Sequence, residues 1–199
     1  MGLELSAESV EKLGVYLRLL AKWNRTYNLT AVRDEGAMVS QHLLDSLAVL
    51  PYLQSSSKTI RSLADVGSGG GLPGIPLAIA CPQVKIELIE ASHKKASFLE
   101  QARIELSLTN VSVHCGRVEA FKPKELFDAV ISRAFSSLAK FVQLASHLLA
   151  PGGLLLAMKG VYPQEEIEQL PSGWKMLQSM PLSVPKLNAQ RDLIVINRA

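Results

Sequence analysis

The chain has 199 residues, 48% of them hydrophobic and 20% charged, with a formal net charge of +3. That is long enough for one α/β domain with a real core, and it excludes a disordered chain, a collagen-like fibre and a disulfide-stapled miniature. No apolar run approaches the length of a membrane span, and mild basicity permits a nucleic-acid substrate without demanding one.

Met1 to Glu11 is polar and acidic, without the basic-then-apolar order of a secretory signal. A cytoplasmic protein is expected. Cys81 and Cys115 lie far apart in the sequence and read as buried thiols in a reducing compartment. No Cys/His spacing suggests zinc, so no metal is expected. Ser6 can cap a helix in which Val10, Leu13, Leu17 and Leu20 recur at helical spacing. Trp23 to Arg33 is a polar and aromatic connector; its Trp23 and Tyr27 could stack on a base or staple the helix to the sheet. A second helix is expected over Glu35 to Leu50, with Met38, His42, Leu43, Ser46 and Leu47 on related faces and a stop at Pro51. Ser55 to Lys58 reads as a polar linker. Residues 1–58 thus read as a helical extension packed on a main domain of residues 59–199, one compact unit overall.

From Ile60 strand and helix patterns alternate. Apolar runs at Ile60–Val66, Val84–Ile89, Val111–Cys115, Phe127–Ile131 and Leu154–Met158 read as buried parallel strands. Helical segments at Ile75–Ala80, Lys94–Leu106 and Leu138–Leu149 separate them. Two further extended runs, Trp174–Val184 and Asp192–Asn197, close the chain as a hairpin. The fold expected is α/β and Rossmann-like: a seven-stranded, mostly parallel sheet with helices on both faces.

The most informative stretch is Leu63-Ala-Asp-Val-Gly-Ser-Gly-Gly-Gly-Leu-Pro-Gly-Ile-Pro-Leu77, with five glycines between Gly67 and Gly74. A strand running through such a turn into a helix lets backbone approach a ligand closely. Gly69 to Gly74 satisfies the dinucleotide pattern G-x-G-x-x-G. It starts late, however, and puts Pro73 and Pro76 where amide N–H groups would face a pyrophosphate. Gly67-Ser-Gly-Gly-Gly71 satisfies G-x-G-x-G with Asp65 two residues ahead, the pattern of S-adenosylmethionine (SAM) enzymes. SAM carries no pyrophosphate, so the prolines count against it less.

Ligands of open α/β sheets bind beyond the carboxyl ends of the strands. Glu90, about 25 residues past Asp65, stands where an acid can accept from both ribose hydroxyls. Glu87 reads as a surface residue. Val118 could pack on an adenine and Glu119 meet its edge. Arg133 would face the open end of the cofactor pocket or an incoming phosphate. Lys159, Arg191, Arg133 and Arg33 could converge as phosphate contacts, and His42 and Asp45, one helical turn apart, could line the substrate entrance.

Asn24, Tyr27 to Arg33, His42-Leu-Leu-Asp-Ser46, the stretch Asp65 to Pro76, Ile131-Ser-Arg-Ala-Phe135 and Lys159-Gly160 together resemble bacterial small-subunit ribosomal RNA methyltransferases, the glucose-inhibited division protein B family. The likeness spans essentially the whole chain. It implies a class I SAM-dependent fold and transfer of a methyl group from SAM to N7 of one guanine in 16S ribosomal RNA. It also implies cofactor residues Gly67, Leu72, Glu90, Val118, Glu119 and Arg133. The implied partner is 16S RNA in the 30S subunit or its assembly intermediate. No membrane is expected, and a monomer suffices. An aspartate is common in the family where this chain has Glu90, and Asp192, beside Arg191, also departs from the pattern. N7 carries a lone pair and no proton, so no general base is expected. Asp45, Lys159 and Arg191 are candidates for positioning, and Arg33, His42, Arg133, Lys159 and Arg191 for RNA contact. A SAM enzyme acting on a small molecule or protein, and a non-enzymatic nucleotide-binding protein, are the competing readings.

Overall fold

The computed structural model describes residues 3–56, 59–133, 135 and 137–199. Helix α1 (Ala7–Tyr27) begins where expected: the Ser6 hydroxyl accepts from the Ser9 N–H at 3.1 Å. Its buried stripe runs through Leu13, Tyr16, Leu20 and Asn24. Val10 lies off that stripe and is exposed, against the sequence expectation. Trp23 packs on Phe98 and Tyr27 with ring centroids 5.5 and 5.2 Å away, the stapling contact.

The single helix expected over Glu35 to Leu50 is not continuous. It divides into α2 (Glu35–Met38), a π-helical segment (Val39–Leu44) and α3 (Asp45–Leu47), and α4 (Leu50–Ser55) follows. Pro51 does not stop the helix; it sits in the first turn of α4, where a missing N–H costs nothing. Of the linker expected at Ser55–Lys58, Ser55 belongs to α4, and Ser57 and Lys58 lie outside the described residues.

The sheet has seven strands: β1 (Ser62–Val66), β2 (Lys85–Glu90), β3 (Val111–Cys115), β4 (Phe127–Ser132), β5 (Leu149–Lys159), β6 (Trp174–Pro181) and β7 (Asp192–Arg198). Their order is β3-β2-β1-β4-β5-β7-β6. Strands β1 to β5 pair in parallel, and β7 runs antiparallel to both β5 and β6. β5 starts earlier than its apolar run suggests, with a register shift against β4. α5 (Gly74–Ala80), α6 (His93–Glu105) and α7 (Leu138–Ala145) are the crossovers, and a short α8 (Gln164–Glu168) follows β5.

Period-2 alternation divides the core. Leu63, Ala129, Ile131, Leu156 and Val195 pack with α1, α3, α5 and α6; Ala64, Val130, Leu155 and Ile194 pack with α7. The N-terminal helices therefore share a core with one face of the sheet. At the edge strand, Cys115 is exposed, unlike buried Cys81, which corrects the expectation for that thiol. Glu87 is half-buried and accepts from the Ser112 hydroxyl at 2.6 Å.

Candidate functional site

Strand β1 delivers the chain to the glycine turn at the carboxyl edge of the sheet, beside the switch where β1 is flanked by β2 and β4. The Gly67 and Ser68 N–H groups donate to the Ile89 carbonyl at 2.9 and 3.3 Å, tying the turn to β2. Asp65 is fully buried below it and accepts from the Gly74 N–H at 2.9 Å through Oδ2, while its Oδ1 has no partner among the described residues. Burial pushes the Asp65 carboxyl up to about 7, opposed by the Gly74 hydrogen bond and by Arg133. A Cβ at Gly74 would run into Leu88 and Asp65; one at Gly67, where φ is +71°, would enter open space. The first glycine packs the turn onto the sheet, and the second leaves room for a ligand.

That room is a cavity of about 520 Å³, within the range of small-ligand sites. Gly67, Glu90, Val118 and Glu119 line it together, as the sequence predicts. Glu90 accepts from the Gly69 N–H at 2.9 Å through Oε2 and from the Ser92 N–H at 2.8 Å through Oε1. Each oxygen keeps a second lone pair, enough for two ribose hydroxyls. Val66, Ile89 and Leu144 supply apolar wall, and Phe135 and Lys140 close the side toward α7. Lys140 carried no signal in the sequence, because only the β4–α7 crossover brings α7 to this rim. Two expected cofactor residues lie elsewhere. Leu72 is packed in the core under the turn, and Arg133 lines a second cavity.

The second cavity, about 340 Å³, is formed by Gln41, His42, Asp45, Arg133, Met158, Lys159, Gly160 and Arg191. His42 and Asp45, expected at the substrate entrance, thus meet three of the four residues expected as phosphate contacts, Arg133, Lys159 and Arg191. Arg33 does not join them; it is exposed, and its Nη2 donates to Asn28 Oδ1 at 2.9 Å. The cations are not loose. Asp45, 1% exposed, accepts from Arg133 Nη1 at 3.0 Å and from Arg191 Nε at 2.8 Å, one on each oxygen. Lys159 Nζ donates to both oxygens of Glu166, at 3.0 and 2.7 Å. Glu166 also accepts the Leu138 N–H at the start of α7 at 2.8 Å. It was not foreseen, because nothing in the pattern marks the short α8 as facing the site.

His42 is buried with both ring nitrogens bonded. Nδ1 lies 2.9 Å from the Gln41 carbonyl, which can only accept, so Nδ1 carries the proton and Nε2 accepts from the Thr30 hydroxyl at 2.7 Å. Burial, seconded by Arg133, holds the imidazole below its ordinary range, toward the neutral form.

The cavity beside the glycine turn and a cation-lined second cavity share one sheet edge. The model of the GidB family, described as rRNA small subunit methyltransferase G, matches residues 9–195. The chain belongs to the GidB family. Ribosomal RNA small subunit methyltransferase G of Aromatoleum aromaticum is 55% identical to this GidB chain over 202 residues, covering 100% of it and 94% of the relative. The protein of the same name from Chromobacterium violaceum is 52% identical, covering 98% and 91%. Among solved structures, the O-methyltransferase TomG of Streptomyces achromogenes, in complex with SAM, superposes with a TM-score of 0.59 at 19% identity, covering 92% of this chain and 89% of its own. A SAM-dependent methyltransferase of Thiobacillus denitrificans, in complex with S-adenosylhomocysteine, gives 0.58 at 11% identity, covering 92% and 98%. At those identities the structural likeness carries the fold alone, and it is the fold of class I SAM-dependent methyltransferases.

Proposed function

We propose that the protein transfers a methyl group from SAM to N7 of a specific guanine in 16S ribosomal RNA, within the small subunit or its assembly intermediate. Guanine N7 as the acceptor is what the family resemblance implies, and one observation supports it. Among the described residues, every group in the second cavity that could take a proton is already engaged: Asp45 by two guanidiniums, His42 on both nitrogens. An exocyclic amine or a hydroxyl has a proton to lose; guanine N7 has none, so positioning and electrostatics suffice.

SAM, when bound, supplies a methyl group activated by its sulfonium charge. Glu90 would hold the ribose hydroxyls, Val118 and Ile89 would offer apolar wall to the adenine and Glu119 a polar group for its edge, and Gly67 would give the backbone clearance the ligand needs. Asp45 holds Arg133 and Arg191 in fixed orientation, and their guanidiniums position RNA phosphate; Lys159 lines the same cavity and meets phosphate in exchange for Glu166. Because N7 lies in the deep, narrow groove of an A-form duplex, the target guanine sits in a loop or a locally opened element.

The test is transfer of tritiated methyl from SAM into 30S subunits and into naked 16S RNA, followed by RNA fragments with 7-deazaguanosine at the labelled position. Label in the particle and none in the deaza fragment supports the reading. Label retained in the deaza fragment, or appearing only in protein, overturns it.

A further inference from the structure

We propose that Tyr16 is a positioning residue of the cofactor site, making helix α1 a working part of the donor cavity and not only a cover for the sheet. The inference rests on the reading that this cavity takes SAM. Tyr16 is fully buried, and its hydroxyl donates to the carbonyl of Gly70, in the middle of the glycine turn and 54 residues away in sequence. Burial also drives the phenol well above its ordinary titration range, so it stays a neutral donor at every working pH.

Among the described residues, three side chains from outside the turn bond to the backbone of its glycines. Glu90 takes the Gly69 N–H, Asp65 takes the Gly74 N–H, and Tyr16 takes the Gly70 carbonyl between them. The first two come from β2 and β1; only Tyr16 comes from outside the sheet. Leu20, one helical turn further along α1, presses on the same spot: a Cβ at Gly70 would lie 3.0 Å from its Cδ1. The Gly70 carbonyl shares its peptide plane with the Gly71 N–H, which donates to the Ser68 carbonyl at 2.7 Å, so the phenol braces the same tight turn whose Gly69 N–H meets Glu90, the ribose-binding acid. Without the phenol, a buried carbonyl has no partner. The free protein relieves this by letting the turn open toward water, and the ligand must then close it. The loss therefore registers as affinity more than as stability.

Tyr16→Phe keeps the ring and removes only the hydroxyl. Titration calorimetry with S-adenosylhomocysteine should show binding about 5- to 30-fold weaker than in the wild type. The KM for SAM should rise in step, with kcat at saturating SAM and the KM for 30S subunits unchanged. Ser9→Ala is the control for docking of α1, since it removes the Ser9 hydroxyl's bond to the Ile79 carbonyl, away from the turn; it should leave the affinity within twofold. Unchanged affinity in Tyr16→Phe, or an equal loss in Ser9→Ala, overturns the proposal. If Tyr16→Phe does not fold, 4-fluorophenylalanine at position 16 replaces it under the same expectations, filling the hydroxyl's space without a donor. A wild-type protein that binds neither S-adenosylhomocysteine nor SAM instead refutes the reading of the cavity itself.

Discussion

Replacing Asp45 by asparagine removes one charge and almost no volume. The carboxylate is 1% exposed and spans two guanidiniums at 3.0 and 2.8 Å, from the end of β4 and the start of β7. Breaking a fully buried pair from one side costs about 3–5 kcal/mol. Here the arginine side chains are 26% and 25% exposed, so solvent takes up part of the released charge. A loss of about 2–3 kcal/mol is the expectation, which for a domain of this size lowers Tm by about 4–12 °C. Differential scanning calorimetry measures it, and a double-mutant cycle with Arg191→Met should return a coupling of at least about 1 kcal/mol. Because Asp45 orients the phosphate-binding cations, Asp45→Asn should also raise the KM for 30S subunits while leaving the affinity for S-adenosylhomocysteine unchanged. A variant that melts within about 1 °C of wild type, with a coupling below about 0.3 kcal/mol, would refute the clamp.

Three further outcomes are expected. Asp65 has a folded pKa of about 7 against 3.8 unfolded, so the native state holds the extra proton between those values. Its contribution to stability is therefore fully present below pH 3.8 and lost as pH rises to 7, and the stability gap between wild type and Asp65→Asn, followed by urea unfolding, should shift in that direction by up to a few kcal/mol. Gly74→Ala drives a methyl into Leu88 and Asp65 and should cost about 2–4 kcal/mol, whereas Gly67→Ala meets only the strain of positive φ and should cost about 1 kcal/mol in melts. Arg191→Met should flatten the salt dependence of RNA binding by about 0.7–0.9 in log–log slope, and Lys159→Met by less than half of that, since Lys159 gives its one ammonium to both oxygens of Glu166 whereas Arg191 gives Asp45 only its Nε.

The sheet was legible because its central strands β1 and β4, and the second half of β5, are buried on both faces and read as plain apolar runs. The antiparallel finish was legible because β6 and β7 lack a helical segment between them. The donor cavity was legible for a different reason: its residues follow directly after strands β1, β2 and β3, so chain position alone predicts their convergence. Leu72 departs because the turn folds back on itself after Gly71 and sends that side chain into the core. Arg133 departs because the strand-end rule gives an edge of the sheet and not which of two neighbouring cavities a side chain enters. The break near Val39 was hidden because the π-helical segment uses the same apolar residues that a regular helix would. Tyr16 and Glu166 were invisible as functional residues, since each acts across more than one element on a backbone group that sequence cannot locate.

The ion pairs of the second cavity also bear on the product. On the proposed reading, transfer to N7 moves a positive charge from sulfur onto the guanine ring, so a second cavity that holds phosphate must also tolerate a cationic base. Three unopposed cations would favour the first and penalise the second. Arg133, Arg191 and Lys159 are instead set against Asp45 and Glu166, leaving one net positive charge among five ionised groups. The field is short-ranged: strong at a phosphate oxygen in contact with a guanidinium edge, weak at a ring several ångströms further in. On this account the buried Asp45 does two things with one charge. It orients the arginines, and it keeps their summed potential low enough for the acceptor ring to become positive beside them.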